Sequence, residues 1–213
     1  ATFTDSAGTF SASDVGKEIQ IAGAGAAGVT LTTTILARAS STSITLAVAA
    51  STSVPAANYC YGTNDTTAIQ NAINLAKPVY FPHGKFLITP NTLTANVAGQ
   101  TIYGPSPPAG VDWAHGAQLI CASQTTPMIS VTEHAVTFLN LQFIGGAELG
   151  TAPAIYALKS SNTDDLDLSV FGCVFVLLGF GVDAIGRGLT FEGNAAANVN
   201  QMIRRAWPIS GTA

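Results

Sequence analysis

The chain has 213 residues, enough for one good core or two small ones. Charged side chains make up only 9% of it, 47% is hydrophobic and the formal net charge is −4. Disorder is therefore excluded, because it pairs low hydrophobicity with high charge, and no basic surface is on offer for nucleic acid or an anionic membrane.

The polarity comes instead from Ser, Thr, Asn and Gly, which points to β-structure clothed in hydroxyls and amides, with apolar surface left over for a partner. No basic stretch followed by an apolar one opens the chain as a signal peptide would. Ala1 is not an initiator Met, so a processed start stays open. Residues 1–57 read as a small antiparallel β-module, with strands over Lys17-Glu18-Ile19-Gln20-Ile21, Val29 to Ile35, and Ser43 to Val48. The turns between them are Ala22 to Gly28 and Ala37 to Thr42, and Ile44-Thr45-Leu46-Ala47-Val48 alternates apolar and polar as a half-buried strand does. Gly23-Ala24-Gly25-Ala26-Ala27-Gly28 spells G-x-G-x-x-G directly after a strand. A dinucleotide site needs that motif to open a helix, with an acidic residue about 20 positions on. Here a β-branched run follows, and no Asp or Glu occurs between Glu18 and Asp65, so the segment is expected to be a hairpin loop that binds no cofactor. Ser51 to Ala57 is a linker by composition.

Residues 58–213 open with the most informative stretch, Tyr61-Gly62-Thr63-Asn64-Asp65-Thr66-Thr67-Ala68-Ile69-Gln70-Asn71-Ala72-Ile73. It reads as a tight turn, an N-cap at Asp65 and a helix over 66–76, whose Ile69, Ala72, Ile73 and Ala76 form one buried stripe that Pro78 stops. Strands follow at Val79-Tyr80-Phe81, Phe86-Leu87-Ile88, Thr101-Ile102-Tyr103, Gln118 to Cys121, Met128 to Val131, Val136 to Ile144, Ala154 to Leu158, Leu166 to Phe175 and Leu189 to Glu192. The Val136 and Leu166 segments repeat one pattern, a strand, a polar or small turn and a second strand ending in Phe, offset by about one turn of a solenoid. That favours a parallel β-helix over an α/β fold, with a β-sandwich as the rival. The most apolar run, Cys173 to Val182, is interrupted by Gly179 and Gly181 and falls short of the about 20 residues that a membrane span needs.

The run from Tyr61 to Ile73 resembles the start of the pectate-lyase-like β-helix of phage tailspikes, a Gly turn, T-D-D-T and A-I-Q-x-A-I. Val79 to Ile88 is similar to that family's strand, Pro-x-Gly turn and strand, and Thr101 to Gly104 and Val136 to Phe143 are similar to its next rungs. Phe10 to Lys17 and Gly23-Ala24-Gly25 resemble a small module that precedes the β-helix in tail fibres and spikes. The resemblance implies a mostly β fold, with a small virion-proximal antiparallel module in 1–57 and, in 58–213, a capping helix and the first rungs of a right-handed parallel β-helix. It implies a homotrimer in the phage tail, touching other tail or adaptor proteins, with bacterial surface polysaccharide as a target through distal regions. Asn64 stands where the family has Asp, a change expected to cost little while Asp65 caps. The few rungs before Ala213 leave an end that needs either more chain or a cover.

Tailspikes of this family often cleave polysaccharide, and glycoside hydrolysis needs two carboxyl groups across the scissile bond. The candidates are Glu133, Glu148, Asp164, Asp165, Asp167, Asp183 and Glu192. Asp164-Asp165 reads as a solvated turn and Asp167 as an outward surface residue, while Asp183 and Glu192 flank the Gly186-Arg187-Gly188 turn as a pair facing across a hairpin-like return. Trp113, beside Asp112 and His115, is a candidate sugar platform, and Arg204-Arg205-Trp207-Pro208 reads as a docking segment. His83 and His134 fall in turns and carry no role. Cys60, Cys121 and Cys173 are too scattered for a metal site, and the last two read as buried small hydrophobes. The catalytic residues are left unassigned. The expected function is a structural virion protein, the tail-proximal attachment segment of a fibre or spike, with a polysaccharide depolymerase as the alternative.

Overall fold

The computed structural model describes residues 1–105, 116–122, 126–146, 153–158, 166–185 and 188–205. The chain is mostly β. Its first sheet is antiparallel, with β1 (Thr2–Thr4), β2 (Glu18–Ile21), β3 (Leu31–Ser40), β4 (Ser43–Leu46) and β5 (Tyr59–Gly62) in the order β1-β4-β3-β2-β5. Phe10, Ile19, Ile21, Ala24, Leu31, Ile35, Ile44 and Leu46 form its core. Two strands extend the sequence reading. Tyr61-Gly62, expected as a tight turn, ends β5, which pairs with β2 antiparallel, and Thr2–Thr4 adds an edge strand. The sheet curls until its edges meet: the Phe3 and Tyr59 rings lie 4.9 Å apart, and the Tyr59 hydroxyl donates to Asp5 Oδ2 at 2.5 Å.

One α-helix, α1 (Thr66–Asn74), follows, and its Ile69 and Ile73 are buried as the stripe requires. It ends sooner than expected. Ala76 turns into the left-handed region (φ 56) and is exposed, so the stripe closes at Ile73. The cap also differs. Asp65 occupies the N-cap position without a side-chain bond, and Asn64 Oδ1 accepts the Thr66 N–H at 2.9 Å instead. The Asn64 amide oxygen reaches forward to the first free N–H while its NH2 donates to Glu18 and Thr89, so Asn64 rather than Asp65 carries the capping bond.

The remaining strands are all parallel. β6 (Val79–Tyr80), β9 (Thr101–Tyr103), β12 (Thr137–Leu139), β15 (Ser169–Phe171) and β17 (Thr190–Glu192) form one sheet. β7 (Gly84–Leu87), β10 (Ala117–Ile120) and β13 (Leu141–Ile144) form one arm of a second sheet, and β8 (Leu93–Ala95), β11 (Ile129–Val131) and β14 (Pro153–Leu158) form the other. The long β16 (Val174–Ile185) joins the arms, pairing β13 through its start and β14 through its end, and β18 (Ala195–Arg205) pairs along β16. Each pass of the chain thus adds one strand to each parallel face, producing a curled stack.

Between the two sheets the turn residues Asn140, Gly172 and Gly193 share the left-handed conformation, with φ 55, 58 and 64. A Cβ on Gly172 would lie 2.5 Å from Asn140 Oδ1, so this column needs its glycine. Inside, Ile69 and Ile73 begin a continuous core that runs through Ile102, Phe138 and Val170 to Ala184. Phe143 and Phe175 stack at 5.4 Å and 8°, and Phe191 follows Phe175 at 6.0 Å. Stacked strands of one repeat bring like residues together about every 4.8 Å, which is why the repeated Phe of the sequence becomes one aromatic column.

Candidate functional site

Helix α1 covers the starting edge of the stack with side chains that imitate a strand. Gln70 accepts the Thr94 N–H at 2.8 Å through Oε1 and donates to the Thr94 carbonyl at 3.1 Å through Nε2. Thr66 Oγ1 accepts the Thr89 N–H at 2.7 Å, and Asn64 bridges to Leu87. Buried Gln100 donates to the carbonyls of Ile73 and Lys77, both at 2.9 Å, so the helix C-terminus is closed as well. A sheet edge otherwise presents unpaired backbone groups, and this one is sealed by Gln, Thr and Asn rather than by another strand. Burial holds the Asp65 carboxyl above the ordinary carboxylate range, partly offset by a backbone bond from Leu87.

The antiparallel module lies against the flank of the stack. Gln20, fully buried, donates through Nε2 to the Ile88 carbonyl at 2.8 Å and accepts the Ala122 N–H at 3.0 Å. Thr30 Oγ1 donates to the Ala122 carbonyl at 2.6 Å, and Asn58 Nδ2 to the Gly146 carbonyl at 2.9 Å. Ile88, Ala122 and Gly146 follow β7, β10 and β13, so the module bonds to the same corner of three successive passes. Beside this joint, burial pushes the Cys60 thiol up to about 12, and Cys173 in the main core stands at about 12 for the same reason. Neither thiol is poised to ionise near neutrality. Cys121 and Cys173 are fully buried, as expected of small hydrophobes.

Two of the clefts among the described residues lie on the module and beside the helix. One of about 270 Å³ lies between Phe3, Asp5 and Tyr59 on one side and Val54, Ala56 and Ala57 on the other. There burial and then the Asp5 bond raise the Tyr59 hydroxyl, while that bond and the Ala7 N–H lower Asp5. The other, of about 500 Å³, is lined by Asn64, Thr66, Thr67, Gln70, Asn71, Thr89 and Thr92. Amides and hydroxyls of this kind can hydrogen-bond a neutral polar ligand but supply no general acid, base or nucleophile pair.

The carboxylate candidates among the described residues, Glu133, Asp167, Asp183 and Glu192, are dispersed. Glu133 lies 3.8 Å from His134 Nδ1 in an exposed bend, a contact of the kind that stabilises little. Asp167 is exposed in a left-handed turn (φ 44) before β15, and its side chain lies over Gly188. The expected pairing of Asp183 with Glu192 fails, since no hairpin connects them. β17 pairs in parallel with β15, so Glu192 sits beside Phe171 in one sheet while Asp183 lies beside Tyr156 in the other. His83 is exposed just before β7. Glu148, Asp164, Asp165, Asp112, Trp113, His115 and Trp207 lie outside the described residues, and only the backbone of Arg204 and Arg205 is described, within β18. Among the described residues no group of three or more His, Cys, Asp or Glu side chains could hold a metal ion, and no helix is long and apolar enough to cross a membrane. The G-x-G-x-x-G segment joins antiparallel β2 to β3 as a hairpin loop closed by the Gly25 N–H on the Val29 carbonyl at 2.7 Å, and a strand rather than a helix follows it.

The outer surfaces of the stack were not legible beforehand. On β9, β12 and β15 the central residue is buried and its two neighbours are partly exposed, so those neighbours face outward. The register aligns Tyr80, Tyr103, Leu139, Phe171 and Glu192 in one outward column and Thr101, Thr137, Ser169 and Thr190 in the next. Tyr80 is 52% exposed, and its ring lies 5.2 Å from that of Tyr103. No protein-family model, curated protein or solved structure matches this chain.

Proposed function

We propose that this chain is a structural virion protein, the tail-proximal attachment segment of a phage tail fibre or tailspike that supports recognition of the host surface. In this reading the curled parallel stack is a right-handed β-helix of the pectate-lyase-like kind, capped by α1, carried on the N-terminal module and assembled as a homotrimer. The observation that carries the reading is the continuous parallel register from β6 through β9, β12, β15 and β17. Strands hydrogen-bonded along one axis make a stiff rod, and a module bonded to three passes of that rod supports a fixed junction rather than a flexible tether. The amide- and hydroxyl-lined cleft beside α1 and the dispersal of the described carboxylate candidates favour this role over polysaccharide cleavage. The test is to label purified virions with antibodies raised against residues 1–57, and to incubate the isolated chain with host surface polysaccharide. Label at the tail and no release of oligosaccharide are expected. Label absent from virions, or new reducing ends released by the chain, would overturn the assignment.

A further inference from the structure

The sheet of the N-terminal module curls round but leaves one seam without a ladder. β1 and β5 are its two edges, and among the described residues they meet through side chains, the Phe3 and Tyr59 rings and the Tyr59–Asp5 bond. β1 bonds to β4 through the Leu46 N–H on the Ala1 carbonyl at 2.7 Å and the Asp5 N–H on the Thr42 carbonyl at 3.0 Å. Residues of an antiparallel strand alternate in the direction of their backbone groups, so Thr2 and Thr4 turn their N–H and C=O away from β4 and into the seam. Both residues are exposed. Two clefts run along this edge. One, of about 400 Å³, opens beside Thr2 onto Ile21, Ala24 and Leu46 of the module core. The other is the cleft of about 270 Å³ at Asp5 and Tyr59. Phe3, Thr4, Val54 and Ala56 line both, so the two are ends of one trough walled by β1 and by residues 54–56. The Thr2 end has an apolar floor, and at the other end Asp5 is the one charged group among the described lining residues.

We propose that this trough is a strand-addition site for an extended segment of a partner protein, which places an apolar side chain over Ile21 and Leu46 and a lysine or arginine against Asp5. The free groups of Thr2 and Thr4 call for a strand, because a strand repeats its own donors and acceptors at their spacing. Residues i and i+2 of a strand face one side about 7 Å apart, so the apolar and basic residues of the partner fall two positions apart, within the reach from Thr2 to Asp5. Asp5 sets the sign of the charge, favouring a basic over an acidic segment. The site deepens the attachment reading above, on which it rests for the origin of the partner, by giving the module its contact with another tail protein.

The probe is a blocked synthetic peptide, Thr-Thr-Leu-Thr-Lys-Thr-Ser, titrated into the isotope-labelled whole chain and followed by amide resonances. Saturable shifts at Thr2, Thr4 and Asp5 are expected below about 1 mM peptide, with slower hydrogen exchange at Thr4 as its N–H gains a partner. Exchanging Lys for Glu in the peptide, or Asp5→Asn in the chain, should weaken binding about threefold. Thr4→Pro should weaken it about tenfold while the melt is retained, since it deletes a donor that β4 does not use. No saturable shift, or equal binding by the Thr4→Pro chain, would overturn the site. Binding that neither the Glu peptide nor Asp5→Asn weakens would overturn the basic partner. Protection of Thr4 that grows with protein concentration in the absence of peptide would assign the edge to a second copy and overturn the choice of occupant. If Thr4→Pro fails to fold, hydrogen exchange at Thr4 and the Asp5→Asn titration decide. Each of these failures leaves the attachment reading standing, because label at the virion tail tests that reading separately.

Discussion

Gln20→Met should cost far more than a surface amide is worth. Gln20 is fully buried, and its one amide donates to the Ile88 carbonyl at 2.8 Å and to Glu18 Oε1 at 2.8 Å while accepting the Ala122 N–H at 3.0 Å. Methionine keeps the length and nearly the volume, so packing is held constant while the polar contacts vanish. The Ile88 carbonyl and the Ala122 amide belong to residues 0% and 2% exposed, so each loses its Gln20 partner away from water. An orphaned buried group costs about 1–3 kcal/mol, so the two together cost on the order of 4 kcal/mol. The new thioether contact offsets a little of that, leaving an expected loss of about 3 kcal/mol. With a urea slope of roughly 3 kcal/mol/M for a chain of this size, the midpoint should fall by about 1 M. Urea unfolding followed by far-UV circular dichroism measures it, and hydrogen exchange at Ile19 and Ile21 should report the module opening before the stack. A variant within about 0.5 kcal/mol of the parent would refute the claim that Gln20 couples the two cores, because two truly buried orphans cannot be that cheap.

The cap assignment predicts that Asn64→Ala loses about 1 kcal/mol, while Asp65→Asn, which removes a partly buried charge and keeps an acceptor, loses none at neutral pH. Thermal melts of the pair check this, and a larger loss at Asp65 would restore it as the cap. Ile73 is fully buried beneath α1, so Ile73→Asp should abolish soluble folding. A soluble variant with a normal melt would contradict the packing of the helix on the stack. Asp14 is held below its ordinary value of 3.8 by the Lys17 ammonium at 2.7 Å and the Ser11 N–H at 2.7 Å. A carboxyl depressed in the folded state contributes fully above its unfolded pKa, and that contribution is lost as pH falls through the lower folded value. Melting temperatures between about pH 5 and pH 2.5 should therefore drop less steeply for Asp14→Asn than for the parent. An unchanged slope would remove Asp14 from the acid response.

The helix was legible because a 3.6-residue stripe between capping residues and Pro78 has one physical reading. Which residue caps it was not, since Asn64 and Asp65 are both good caps and only the chain path decides. Strands such as Val136 to Ile144 announced themselves through β-branched and aromatic residues, and the turn at Asn140 split that run where the polar residue stood. Ala195–Arg205 did not announce itself. Ala and Asn are poor strand formers, and it is the waiting edge of β16 that makes this segment extended. Thr2–Thr4 is too short to signal and is recruited by β4 in the same way. The candidate site was less legible than the fold. Asp183 and Glu192 are near neighbours in sequence, yet each pass distributes its residues over separate sheets, so proximity along the chain says little about facing. The outward Tyr80, Tyr103, Leu139 and Phe171 column has irregular sequence spacing, set by turns of different length, and it emerges only from the register.

The trimeric account meets its most direct test in sedimentation equilibrium of the purified chain at micromolar and submicromolar concentration. The account predicts a single species of three times the 21.7 kDa chain mass that persists on dilution, as the proposed homotrimer requires. A stable monomer at 21.7 kDa across that range would contradict it.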